Sequence, residues 1–113
     1  MAKTIAVVIQ EDPRKTHRPV EALRIALGLV AGSHHTTVVL LGDSFRLLTD
    51  ETDDIVDVDI LEKYLPSIVQ LQIPFLLQDR QDRTQIRSDF QVQYNTDAHI
   101  ADVVRSTDCA LIF

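Results

Sequence analysis

Few side chains in this 113-residue sequence are equipped for chemistry. Cys109 is its one thiol, and it stands between Asp108 and the apolar run Ala110-Leu111-Ile112-Phe113. That setting predicts a packed core or interface cysteine, with its pKa raised by burial and so the opposite of a reactive thiolate. A single cysteine also excludes an internal disulfide framework and an all-cysteine metal site. Among the four histidines, His34 and His35 are adjacent in a turn and share no helix face, and His99 has only Asp102 three residues on. No Ser-His-Asp order can be built from them. The acidic stretch Asp50 to Asp59 lacks the central glycine and the twelfth-position glutamate of a calcium loop. It reads as a charge cluster at a helix start, with Asp57 and Asp59 favoured by the dipole. No metal, no cofactor and no catalytic triad are therefore expected.

Two polar clusters remain. Arg14-Lys15-Thr16-His17-Arg18 follows an apolar run and precedes Pro19, so its cations stand at the start of a helix, where an anion is favoured. No phosphate-cradling glycine loop of either common pattern occurs there. The second cluster, Gln78-Asp79-Arg80-Gln81-Asp82-Arg83-Thr84, is an alternating-charge tract that closes the apolar run Ile73 to Leu77. With Asp43 and Ser44 these residues are expected to converge on one rim, because ligands in open α/β sheets gather at the carboxyl ends of the strands. The candidate anion- or ligand-binding site is thus Arg14, Lys15, Arg18, Asp43, Ser44, Gln78, Asp79 and Arg80. Its plain alternative is a set of solvated loop charges, whose surface ion pairs contribute about 0–1 kcal/mol each.

Stepping outward, the elements that must place these groups are legible from hydrophobic pattern. Thr4 to Gln10 and Thr36 to Leu41 are continuously apolar and β-branched, the signature of strands buried on both faces. Pro19 suits the first turn of a helix over Val20 to Ala31, stopped by Gly32. That helix is apolar well beyond one stripe, so it is covered by its own sheet or by another subunit. Asp43 or Ser44 is expected to cap a short helix through Leu48. Ile60 to Gln70 follows as an amphipathic helix that Pro66 should kink or break. Phe75 to Leu77 is a short buried strand, Phe90 to Tyr94 a short edge strand, Ala98 to Arg105 a helix capped by Thr96 or Asp97, and Cys109 to Phe113 a final buried strand. Alternating strands and helices predict a three-layer α/β/α sandwich of about five mostly parallel strands, in a single domain spanning residues 1–113.

Composition narrows the partners. Net charge of −6 gives no field favourable to nucleic acid, and tryptophan is absent, so single-strand stacking platforms are scarce. No apolar stretch reaches membrane-span length, and Ile5 to Ile9 is too short for the core of a signal peptide. A reducing cytoplasm is the expected setting.

The ordered set Glu21-Ala-Leu-Arg-Ile-Ala-Leu-Gly-Leu, Thr37-Val-Val-Leu-Leu-Gly-Asp, Ile60-Leu-Glu-Lys-Tyr-Leu, Ile73-Pro-Phe and Ser106-Thr-Asp-Cys-Ala-Leu-Ile-Phe resembles the DsrE/DsrF-like family of sulfur-relay proteins. The resemblance implies a flavodoxin-like sheet, homo- or hetero-oligomers, often trimers or hexamers (here a homo-oligomer is expected), and sulfur-relay partner proteins. In relay members it also implies a persulfide-carrying cysteine just past the third strand. This sequence has Gln78-Asp79-Arg80-Gln81 there, and none of these offers a sulfur nucleophile. The expectation is a binding or assembly subunit without that cysteine. Its alternative is a sulfurtransferase or other small enzyme holding an anionic ligand at the strand ends.

Overall fold

The computed structural model describes residues 2–79 and 85–113. The chain runs β1 (Thr4–Ile9), α1 (Arg18–Ala31), β2 (His35–Leu40), a 3-10 helix (Gly42–Leu48), α2 (Val58–Gln70), β3 (Pro74–Gln78), β4 (Gln91–Asn95), α3 (Asp97–Ser106) and β5 (Cys109–Ile112). The strands form one sheet in the order β4-β3-β2-β1-β5, with every pairing parallel. The α/β sandwich read from the sequence is the fold found.

Strand alternation builds two unequal layers. Ile5, Val7, Ile9, Val38 and Leu40 point into the main core, which α1 and α2 cover through Val20, Leu23, Ala26, Leu61, Leu65 and Ile68. Ala6, Val8, Val39 and Leu76 point the other way and meet Ile100, Val103 and Val104 of α3 alone. The β3–β4 connection adds Ile86 and Phe90 to the thicker layer, with Phe90 edge-on to Phe75 at 5.8 Å.

Several elements differ from expectation for physical reasons. The short helix over 42–48 is 3-10 and has no side-chain cap: the Ser44 hydroxyl lies 2.9 Å from Ile9 O and 2.8 Å from Leu41 O, tying the turn to β1 instead. Helix α2 continues through Pro66, which faces solvent. Water can thus satisfy the carbonyl its missing N–H would have bound. Strand β5 is not buried. It lies at the sheet edge, with Cys109, Ala110 and Ile112 exposed. An apolar run of this length reads alike in a central strand and at an uncovered edge.

Candidate functional site

The chain order fixes where a ligand site belongs. From β1 to β4 the strands advance in one direction, and the described part of the β3–β4 connection packs on the α1/α2 layer through Ile86 and Phe90. The connection leaving β4 returns across the opposite face through α3 to reach β5. Adjacent strands whose connections part to opposite faces leave a crevice outside their carboxyl ends. Here that crevice lies between β3 and β4, and Gln78, Asp79, Asn95, Thr96 and Asp97 line a small cavity of about 180 Å³ there.

Gln78, the last residue of β3, is 5% exposed and bridges two elements. Its Oε1 accepts from the Gly42 N–H at 2.9 Å, and its Nε2 donates to Asp97 Oδ1 at 2.8 Å. An amide N–H can only donate and a carboxylate only accept, so these partners fix which way the side-chain amide faces. Gly42 holds φ +58°, a left-handed turn that suits glycine and aims its N–H at Gln78. Asp79 is tied alongside by its N–H to Asn95 O at 3.0 Å. Helix α3 starts cleanly beside them: Thr96 Oγ1 accepts from His99 N–H, and Asp97 stands in the first turn.

Next to Gln78, on the face that α3 covers alone, opens a groove of about 470 Å³. Val8, Val39, Leu41, Ile100, Val104 and Ile112 make it apolar, with Gln10, Asp97 and Arg105 at its margin. None of these was singled out from the sequence as a site residue. The missing signal is topological, since one ten-residue helix cannot cover a whole sheet face.

The basic loop after β1 is turned inward on itself. Arg14 Nε donates to Asp12 Oδ1 at 3.0 Å, and Arg14 Nη2 donates to Asp12 Oδ2 at 2.7 Å. That guanidinium holds the Asp12 carboxyl down at about 2, and Asp12 holds Arg14 above its ordinary value. Asp43 also acts on Arg14 electrostatically, so these two site residues are neighbours. Arg18 Nε is 3.7 Å from Glu11 Oε2. Lys15 is exposed, and Ser44 is fully buried with its hydroxyl committed to backbone carbonyls. Of the predicted set, the structure gathers Asp43, Ser44, Gln78 and Asp79 around Gly42 and the end of β3. Arg80 lies outside the described residues. Cys109, expected to be a core or interface cysteine, is not in the core: it is exposed on the single chain at the start of the edge strand β5. No group of three or more potential metal ligands occurs among the described residues.

No family model and no curated protein matches the chain. Among solved structures it is similar to the crystal structure of the ychN protein from E. coli, with TM-score 0.75 and 17% identity over 100% of each chain. The fold is DsrE/DsrF-like. At that identity the likeness establishes architecture and nothing about chemistry. On this scaffold the end of the third strand holds a glutamine hydrogen-bonded through both ends of its amide.

Proposed function

We propose that this chain is a non-catalytic binding or assembly subunit of DsrE/DsrF-like type. In this reading it works beside sulfur-relay proteins in the cytoplasm without a persulfide-carrying cysteine of its own. It also forms homo-oligomers, as trimers or hexamers. The observation that carries the reading is Gln78. Its amide is spent at both ends on Gly42 and Asp97, so it secures the mouth of the strand without any atom that could accept sulfur. The apolar groove beside it, and the exposed Ile112, Leu71 and Ile60, are surface that association would remove from water. No helix among the described residues is long and apolar enough to cross a membrane.

One observation favours a second reading. Cys109 is exposed, so a relay through that thiolate has access: it would take the outer sulfur of a donor persulfide, with the donor's thiolate leaving. Incubation with a cysteine desulfurase and cysteine, followed by mass spectrometry of the intact chain, separates the two. The binding-subunit reading expects no added sulfur. A one-sulfur gain on Cys109 that passes on to a second protein would replace it with the relay. Light scattering tests the assembly: a monodisperse monomer across the concentration range would remove the oligomer from the proposal.

A further inference from the structure

Among the described residues α3 alone covers the sheet face opposite α1 and α2, and a groove opens on each side of it. His99 and Val103 border the smaller groove, toward β3 and β4. The larger, of about 470 Å³, lies over the ends of β2 and β1 and reaches the edge strand β5. The β1–β5 register sets Ala110 beside Ala6 and Ile112 beside Val8, so both belong to this face, and both are exposed.

Helix α3 turns one stripe to the larger groove: Asp97, Ile100, Ala101, Val104 and Arg105. These follow the three- and four-residue spacing of a single helix face. Their order matters. Asp97 stands at one end and Arg105 at the other, with the exposed Ala101 four residues from each. At about 1.5 Å of rise per residue, the opposite charges lie about 12 Å apart and equally far from Ala101. Both are steadied from within the chain, since Gln78 Nε2 donates to Asp97 Oδ1 and Arg105 Nη2 donates to Asp102 Oδ1.

This pattern is complementary to itself. A two-fold axis at Ala101 runs the α3 helices of two copies antiparallel, which brings Arg105 of each copy opposite Asp97 of the other. Residue i then meets j while j meets i, as an isologous contact requires. The small Ala101 side chain lets the helices approach, and the apolar middle of each groove is closed from water. A partner of a single charge would instead meet a like charge at one end of the groove.

We propose that this groove is a two-fold contact between copies of the chain, with antiparallel α3 helices crossing at Ala101. The contact rests on the assembly reading above and narrows it: a two-fold axis belongs to a hexamer, and a closed trimer standing alone has none.

The test is light scattering of the full chain and its variants across a concentration series. Ala101→Arg puts a long cation at the crossing and should halve the assembled mass, from hexamer to trimer. Arg105→Glu sets like charges opposite each other and should raise the midpoint concentration of that step at least about tenfold. Both variants should keep the far-ultraviolet circular dichroism of the unaltered chain. In a Cys109→Ser background, Ala101→Cys should form a disulfide between copies when oxidised with diamide, and His99→Cys, on the other side of α3, should not. An unaltered chain that is a trimer, or a disulfide that forms as readily at position 99, overturns the two-fold contact and leaves the assembly reading standing. So does an unchanged mass in both Ala101→Arg and Arg105→Glu, which would give the groove to another occupant, such as a peptide. A monomer at every concentration overturns both.

Discussion

Gln78 is a structural residue in a place where catalysis is usual, and its removal should be felt in stability. Gln78→Ala removes the two hydrogen bonds this buried amide makes, to the Gly42 N–H and the Asp97 carboxylate, at the end of an internal strand of the sheet. Losing a buried hydrogen-bond partner costs about 1–3 kcal/mol, to be seen as a lower urea midpoint, whereas Gln91→Ala on the exposed edge should stay within about 0.5 kcal/mol. The Asp12–Arg14 pair makes a second prediction, in pH. Asp12 has its folded pKa depressed from 3.8 to about 2, chiefly by the hydrogen bond from Arg14. A depressed carboxylate contributes stability that is complete above its unfolded pKa and is lost as pH falls through the folded value. The expected loss between about pH 4 and pH 2 is about 1–2 kcal/mol, less than the whole shift because Arg14 is still 32% exposed. Asp12→Asn should flatten that part of the urea-midpoint profile. Neither feature could be read fully in advance. The Gln78–Asp97 bond spans nineteen residues, and although Asp12 is near Arg14 in sequence, nothing there showed that the guanidinium would be bound by its own loop's carboxylate.

At the scale of elements, two positions carry avoidable cost. Gly28 sits in the last turn of α1 on its exposed side, and a Cβ there would meet nothing within 4 Å. Gly28→Ala should therefore stabilise the isolated chain by about 0.5–1 kcal/mol, by removing glycine's backbone freedom from the unfolded state. Gln72, just after α2, holds φ +53° on the surface, a conformation that costs a side-chain-bearing residue about 1 kcal/mol. Gln72→Gly should recover part of that, offset by the looser unfolded chain, and thermal unfolding of both variants reads the signs. The elements themselves were mostly legible, because burial on both faces leaves an unbroken β-branched run and amphipathic helices keep their spacing. The central strands β1 and β2 were found within a residue of expectation. The errors fell where local pattern cannot see the neighbour: Pro66 is tolerated because its side of the helix faces water, Ser44 bonds β1 instead of capping, and β5 has no strand beyond it.

For the molecule as a whole, the asymmetry of the two layers matters most. The α1/α2 side is thickly covered, including Leu27, Leu29 and Val30 of α1, so much of that helix's apolar surface is met within the chain. The α3 side and the β5 edge are left thin, and β5 carries neither lysine nor proline to blunt an open strand edge, while the opposite edge, β4, bears Gln91, Gln93 and Asn95. Cys109 reports on that edge directly. Because it is exposed, a disulfide reagent should titrate one thiol per chain in the native protein without denaturant, at a dilution where light scattering finds monomer. Association through β5 would then slow the reaction as concentration rises, in step with the scattering mass. Association through the α1/α2 side would leave the rate unchanged while the mass grows. A thiol that reacts only in denaturant, at every concentration, would mean that β5 is covered within the single chain and that the open edge is not there.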